Sequence, residues 1–378
     1  MTKKQTSRRL KSTDSLSDTL QLLWGFVPGR AIETAFEAGF FELFGLEGTD
    51  RISQNTVCER LNWNVHGATV IIRLFERLSL VKVCGDGAIE LTMQSIKCLR
   101  EAGVYTLASY LKRRHRLELA YEQLAISLRT GAPNEMMSTE TRAAFGLNRQ
   151  ATAEFVEAMR MSAEKFGPDL IHRLNSTRTI ENPFKILDVG CGPATLSVLL
   201  ARQFPLSVIH AFDLSGVSEW ARSTVVRAGL ERRIQVSSSD WNSWPWRYDA
   251  YDLVLLSQVL HEVPEDEAST LFRRACESLS AGGRVCVVLV GDGVGSPTGD
   301  LLHAVFSLNM LIETGGTNPT RQMLRDWGNR NRVREVTHAL LPGGRSVWIG
   351  AKSIPGKRRA SVKTAAAETV HGDAVPLT

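Results

Sequence analysis

Residues 186–195 read Ile-Leu-Asp-Val-Gly-Cys-Gly-Pro-Ala-Thr. The apolar run from Phe184 to Leu187 predicts a buried parallel strand, and the run from Leu196 to Gln203 has the spacing of a helix. An acid and two glycines stand between these runs. Glycines let a ligand approach the backbone, and the first turn of a helix offers free N–H groups. The segment therefore predicts a strand, a ligand-binding turn and a helix, as in nucleotide-binding α/β domains.

The glycine pattern restricts the kind of ligand. A dinucleotide-binding fingerprint needs a third glycine at position 195, where this chain has Thr195. Asp188 precedes the two glycines, Gly190 and Gly192, and a carboxylate there favours a ligand with positive charge. S-adenosylmethionine carries an ammonium and a sulfonium and no phosphate. The alternative is a plain glycine turn of the kind that any α/β domain contains.

Acids also follow the next strands of the predicted sheet. Asp213 ends the strand that begins at Val208, where a ribose-binding acid belongs. Asp240 and Trp241 follow the third strand, and together they offer an acceptor for the adenine amino group and a face for stacking. The predicted cofactor contacts are Asp188, Gly190, Gly192, Asp213, Leu214, Asp240, Trp241 and Ser257.

Composition argues against a membrane-spanning protein and against a disulfide-linked one. The 378 residues carry a formal charge of +5, and basic residues near both ends contribute part of it. Residues 1–18 and 355–378 are polar and predict disordered tails. No apolar run reaches membrane-spanning length, and no metal site is predicted. Six scattered cysteines without a CxxC pair favour reduced thiols and a cytoplasmic location.

Residues 19–111 predict a small, mainly helical domain. Two helices, one over residues 53–61 and one over residues 67–78, precede a hairpin over residues 80–91, which is the order of a winged helix. Such a domain can bind DNA, but the helix from Gly67 is mostly apolar, and its basic residues are Arg73 and Arg77. We therefore expect dimerisation through this domain, with DNA binding as the alternative.

The remainder of the chain predicts a helical connector and an α/β domain. Residues 112–176 read as helices that contribute to a substrate pocket, and residues 177–354 as the cofactor-binding domain. A helix over residues 264–279 precedes a fifth strand over residues 284–290. The last two strands, near residues 334–341 and 346–351, predict an antiparallel hairpin at one edge of the sheet. This mostly parallel arrangement fits methyltransferase sheets better than dehydrogenase sheets.

The loop after the fourth strand holds the candidate catalytic group. His261 is the histidine that this loop places beside the cofactor crevice. Methyl transfer requires an acceptor that loses its proton, and an imidazole suits that task. A histidine that only packs locally is the alternative. The helix near residues 301–311, with Phe306, Asn309 and Met310, is a candidate substrate wall or else a core or dimer contact.

At this point the chain resembles the small-molecule O-methyltransferases with an N-terminal winged-helix dimerisation domain. The resemblance spans about Leu20 to Lys352. Its carriers are Ala38-Gly39-Phe40-Phe41, residues 128–133, Phe155, Ala158-Met159, residues 188–192, Leu260-His261-Glu262-Val263 and Thr314-Gly315-Gly316. It implies a Rossmann-like methyltransferase fold, a homodimer, cofactor contacts at Gly190, Asp213, Asp240 and Trp241, and a catalytic base at His261.

Two departures from that family concern the base. Glu262-Val263 stands where the family often has Asp-Trp, and Asn318, a candidate substrate contact, stands where the plant enzymes have a glutamate. Without that carboxylate we expect His261 to hold an imidazolium less well. The prediction is S-adenosylmethionine-dependent O-methylation of a small aromatic or polyketide-like metabolite. The alternatives are N- or C-methylation, a non-methylating relative of the same fold, and a metabolite-sensing DNA-binding regulator.

Overall fold

The structure is a computed structural model of the chain. It describes residues 19–20, 22–45, 50–101, 103, 107–137, 148–177, 184–291 and 297–354. The two tails predicted to be disordered lie outside the described residues. Within the described residues, no helix is long and apolar enough to cross a membrane.

The N-terminal region contains the predicted helices and hairpin. Its helices are α1 (Phe26–Glu37), α2 (Gln54–Leu61), α3 (Val65–Arg77) and α4 (Met93–Cys98), and its strands are β1 (Arg51–Ile52), β2 (Val81–Val83) and β3 (Ile89–Leu91). The strands pair antiparallel in the order β1-β3-β2. Ser53 begins α2 by accepting the N–H of Thr56 at 3.0 Å, and Asn64 begins α3 by accepting that of His66 at 2.8 Å. The helices and the sheet enclose a core that is rich in phenylalanine.

Three helices connect this region to the α/β domain. They are α5 (Ala108–Tyr121), α6 (Leu124–Thr130) and α7 (Arg149–Thr177), a helix of 29 residues that contains Pro168. Helix α7 packs on the first helix of the α/β domain, because Phe166, Leu170 and Leu174 belong to the same core as Leu196 and Leu200.

The large sheet has seven strands. They are β4 (Lys185–Val189), β5 (Val208–Asp213), β6 (Ile234–Ser238), β7 (Tyr251–Ser257), β8 (Leu279–Val290), β9 (Val333–Leu341) and β10 (Arg345–Lys352). The order is β6-β5-β4-β7-β8-β10-β9, and β10 pairs antiparallel with both neighbours while the others pair parallel. The predicted fold class, a mostly parallel sheet with an antiparallel C-terminal hairpin after a helical region, is confirmed.

Five helices complete the domain. They are α8 (Thr195–Gln203), α9 (Ser215–Arg227), α10 (Glu265–Ser278), α11 (Pro297–Glu313) and α12 (Arg321–Arg330). One predicted boundary was wrong: β8 begins at Leu279 instead of Arg284. Tyr251 pairs with Leu279 and Leu253 with Arg284, so the residues between them form an irregularity within the strand. Gly282, with φ 77°, allows this bend.

Alternating residues of the central strand β4 face two cores. Ile186 belongs to the core under α7 and α8, and Leu187 and Val189 belong to the core under α10 and α12. Because β4, β5, β6, β7 and β8 run parallel, their carboxyl ends meet at one edge of the sheet. The candidate site residues of this domain gather at that edge.

Candidate active site

The glycine turn after β4 has the backbone conformation that glycine permits. Gly190 and Gly192 have φ of 62° and 53°, and Ala194, just before α8, has φ of 58°. A Cβ added at Gly190 would lie 3.0 Å from Cγ2 of Val259, whereas one added at Gly192 would meet no atom within 4 Å. The turn therefore packs against the loop after β7 on one side and faces open space on the other.

Asp213 joins the ends of two strands. One carboxylate oxygen accepts the N–H of Gly192 and the other that of Leu214, both at 2.7 Å. Burial raises the pKa of Asp213 to about 6, and these two hydrogen bonds oppose the rise. The carboxylate therefore holds the glycine turn of β4 against the end of β5. Leu214 is exposed beside it.

Asp188 is more deeply buried. Its Oδ2 accepts the hydroxyl of Ser197 at 2.6 Å, while its Oδ1 is buried without a hydrogen-bond partner among the described residues. Burial raises the pKa of Asp188 to about 7. A carboxylate in this condition is stabilised by a nearby cation, which lowers the cost of its ionised form.

Asp240 and Trp241 lie beyond the end of β6. Asp240 is exposed, and its carboxylate accepts the N–H of Asn242 at 2.6 Å. The Arg274 guanidinium lies 5.3 Å from the centroid of the Trp241 ring and fixes its orientation. An unpredicted aromatic pair lies nearby, since Trp244 stacks on Phe212 with centroids 4.3 Å apart.

His261 is buried in a short 3₁₀ turn, Leu260–Glu262, after β7. Its ring and the Phe306 ring are nearly perpendicular, with an interplanar angle of 86° and centroids 4.8 Å apart. Its Nε2 lies 3.3 Å from Oε1 of Glu262, and its Nδ1 is buried without a hydrogen-bond partner among the described residues. The imidazole therefore has a carboxylate on one side and a free nitrogen on the other.

Asn318 holds the neighbouring strand end. Its Nδ2 donates to the carbonyl of Val290 at 2.6 Å, and its Oδ1 is buried without a partner in the described part of the chain. The sequence predicted that His261 lacks a supporting carboxylate, because Asn318 stands where the plant enzymes have a glutamate. This prediction was incomplete. Glu262 supplies one from the adjacent position, and sequence reasoning treated this residue only as a departure from the family motif.

Helix α11 brings the predicted substrate residues to this loop. Phe306 touches His261, as described above. The amide oxygen of Asn309 accepts the hydroxyl of Tyr121 on α5, and Met310 is buried beneath. Tyr121 was not predicted, because α5 and α11 are separated by more than 170 residues and no local pattern links them.

The predicted cofactor residues thus converge on one edge of the sheet. Ser257 ends β7 and is half-buried beside the glycine turn of β4. The positions agree with a ligand crevice at the carboxyl ends of β4, β5, β6 and β7, and with an acceptor region under α11. Their individual roles stay predictions.

This fold and this edge define a Rossmann-like nucleotide-cofactor-binding protein of the methyltransferase type. A family model described as an O-methyltransferase domain matches residues 121–363. The chain belongs to that family, whose cofactor is S-adenosylmethionine, and the predicted resemblance is confirmed.

Individual relatives agree with this family. The chain is 32% identical over 174 residues to 3-hydroxy-5-methyl-1-naphthoate 3-O-methyltransferase of Streptomyces sahachiroi, which covers 45% of this chain and 49% of that protein. It is 33% identical over 121 residues to trans-aconitate 2-methyltransferase of Mycobacterium tuberculosis, covering 32% of this chain and 42% of that protein. The matches thus span about half or less of these relatives' length.

Solved structures share the fold over nearly the whole chain. Human N-acetylserotonin methyltransferase, solved in complex with S-adenosylmethionine, superposes with a TM-score of 0.71 and 20% identity, covering 91% of this chain and 99% of that one. An O-methyltransferase family protein from Burkholderia thailandensis gives a TM-score of 0.69 and 18% identity, covering 91% and 100%.

Proposed function

We propose that this protein transfers a methyl group from S-adenosylmethionine to a hydroxyl of a small aromatic or polyketide-like acceptor, with His261 as the general base. The observation that carries the proposal is the position of His261. It is a buried imidazole with an unpartnered nitrogen, on the loop that also packs against the glycine turn. The Streptomyces relative, named for a hydroxynaphthoate, supports a hydroxyaromatic acceptor.

The residues of the crevice fit the cofactor. Asp188 has an unsatisfied buried oxygen and a raised pKa, which a cationic ligand relieves. Gly192 borders space that a side chain would fill. Asp213 stands at the end of β5, where a ribose hydroxyl is bound in folds of this type, and Asp240 and Trp241 stand where an adenine would lie. When bound, the cofactor supplies an activated methyl group on a sulfonium.

The chain's own residues then have little chemistry left to perform. The apolar surface around Phe306 excludes water and orients the acceptor. His261 takes the proton of the acceptor hydroxyl, whose oxygen would receive the methyl group that the bound cofactor supplies. Glu262, 3.3 Å from the ring, stabilises the resulting imidazolium.

The experiment that tests this function compares His261→Ala and His261→Gln with the wild type on a poorly acidic hydroxyl acceptor. Loss of the base lowers turnover by about 10²- to 10⁴-fold when proton removal limits the rate. Affinity for S-adenosylhomocysteine, measured by calorimetry, stays within a few-fold. Turnover that stays within a few-fold of the wild type shows that proximity alone drives the reaction and removes His261 from its assigned role.

We also propose that the chain is a homodimer through its N-terminal region. Large apolar residues around the start of α1 are exposed in the single chain, among them Leu22, Leu23, Trp24 and Phe26. The same is true of Val65 and Val70 on α3, the helix that would read DNA in a regulator. Contiguous exposed apolar surface favours binding to a protein. DNA binding would instead need cationic groups that contact the phosphates.

A further inference from the structure

One arginine at the acceptor end of the sheet has no acidic partner among the described residues. Arg345 is the first residue of β10 and pairs with Val290, the last residue of β8. Its guanidinium donates to Oε1 of Gln258 at 2.9 Å, to the carbonyl of Gly343 at 2.9 Å and to the hydroxyl of Ser162 at 3.3 Å. All three acceptors are neutral, and none of the described carboxylates lies within salt-bridge distance of it.

Burial makes this arrangement costly. The pKa of Arg345 is lowered to about 10, and burial is the cause. A cation that is withdrawn from water needs an anion or a full set of hydrogen bonds to offset the lost hydration. Three of the five guanidinium N–H groups are used here, which leaves one on each terminal nitrogen. These two donors lie on one planar guanidinium and can be taken by the oxygens of a carboxylate.

His261 and the residue before Arg345 both contact α11. Phe306 of α11 contacts His261, and a Cβ added at Gly344 would lie 2.8 Å from Cδ2 of Leu302, one turn earlier on α11. The four residues from Leu302 to Phe306 rise about 6 Å along the helix axis. Gln258, which holds the guanidinium, is also three residues before His261 in the same loop. The guanidinium and the base are therefore both attached to the Gln258–His261 loop, and the segments that carry them contact successive turns of α11.

We propose that Arg345 binds a carboxylate of the methyl acceptor, so that the substrate is a hydroxy acid held by its acid group while its hydroxyl faces His261. This inference rests on the proposed function and adds the substrate class to it. Gln258 and Ser162 hold the guanidinium in place, and the carboxylate takes the two remaining donors. The alternative is a structural arginine that only ties the turn between β9 and β10 to α7.

The test uses pairs of acceptors in which a methyl ester replaces the carboxylate, which removes the charge and adds one methyl group. Hydroxybenzoic and hydroxycinnamic acids are each compared with their methyl esters, as acceptors for the full-length wild type, Arg345→Gln and Arg345→Lys. Arg334→Gln, which removes an exposed arginine of β9, is the matched control. Thermal melting and calorimetry with S-adenosylhomocysteine establish that each variant is folded and binds the cofactor product.

We expect the wild type to prefer an acid over its ester by about 100-fold in kcat/KM, the scale of a charged, bidentate hydrogen bond. Arg345→Gln loses that preference because its KM for the acid rises, while its activity on the ester stays within about threefold of the wild type. Arg345→Lys retains part of the preference. A wild type that methylates the esters as well as the acids overturns the inference and leaves the proposed function standing. An equal loss on both substrates in Arg345→Gln, with binding intact, also overturns it. Methylation of no acceptor counts against the proposed function itself.

Discussion

Nε2 of His261 lies 3.3 Å from Oε1 of Glu262, its neighbour in the chain. A carboxylate at this distance can accept a hydrogen bond from the ring and offset the positive charge that arrives with the acceptor's proton. We expect Glu262→Gln to lower kcat by about tenfold, because the isosteric amide keeps the packing and removes the charge. The KM for the acceptor and the affinity for S-adenosylhomocysteine stay within twofold.

Glu265→Gln is the control for that change. Glu265 is exposed in the first turn of α10 and does not contact His261 in the described structure. Steady-state kinetics of both variants at one pH separates a local charge effect from a general one. Equal kcat values for Glu262→Gln and the wild type would mean that the Glu262 carboxylate has no part in turnover.

Asp188 makes the stability of the ligand-free protein depend on pH. Its pKa of about 7 in the folded protein exceeds the ordinary value of 3.8, so the folded state binds more protons than the unfolded state between these values. Stability therefore falls as pH rises through this window. Asp188→Asn removes this dependence, and its free energy of unfolding relative to the wild type rises between pH 4 and pH 8 by as much as about 4 kcal/mol.

Urea unfolding of both proteins across this pH range measures the difference between their free energies of unfolding. A stability change that the amide causes equally at every pH does not affect the pH dependence of this difference. Asp266→Asn, an exposed carboxylate of α10, gives a flat difference. A difference between wild type and Asp188→Asn that does not change with pH contradicts the assignment of a buried, proton-binding carboxyl.

The exposed apolar residues before α1 predict the assembly. Leu23 and Trp24 are 67% and 64% exposed in the single chain. Charges at both positions disfavour burial of this surface, so the double variant Leu23→Glu, Trp24→Glu is expected to be monomeric, while the wild type has twice the mass of one chain. Light scattering measures the mass. Leu206→Glu alters a leucine of similar exposure before β5 and leaves the dimer intact; a monomeric wild type would remove the proposed dimer.

Gly316 controls the position of the His261 loop. A Cβ at Gly316 would collide with the backbone carbonyl oxygen of His261, and neither atom belongs to a flexible side chain. We expect Gly316→Ala to displace the loop, lower turnover at least tenfold and lower the thermal midpoint. Gly67→Ala is the matched control, because a Cβ at Gly67 meets nothing within 4 Å and alanine favours α3 by about 0.5–1 kcal/mol. Wild-type turnover in Gly316→Ala would contradict this account of the loop.

The strands and the glycine turn could be predicted from sequence because their signals are local. The apolar run ending at Leu187 and the glycines at 190 and 192 lie within ten residues. The antiparallel hairpin had turn residues at Pro342, Gly343 and Gly344, and its position at the sheet edge followed from the fold class. The start of β8 was missed because Gly282 and Gly283 read as a helix stop, although they form a bend within a strand.

Contacts between distant segments could not be predicted. Ser162 and Arg345 are separated by 183 positions, and the hydroxyl of Tyr121 reaches Asn309 from a helix far earlier in the chain. No periodicity or spacing encodes such pairs, since they depend on how α7, α11 and the hairpin pack together. Glu262 was visible as a residue, but its contact with His261 depends on the backbone angles of the 3₁₀ turn.

The loop from Gln258 to His261 contacts three parts of the site: the glycine turn, Arg345 and helix α11. Val259 packs against Gly190, Gln258 holds Arg345, and His261 faces Phe306. Two ligands that contact one short segment both restrict its motion, so the ligand that binds first lowers the entropic cost of binding the second. Linkage makes this help mutual: the acceptor tightens the cofactor by the same factor as the cofactor tightens the acceptor. Under the proposed function, the cofactor and the acceptor therefore bind more tightly together than either binds alone.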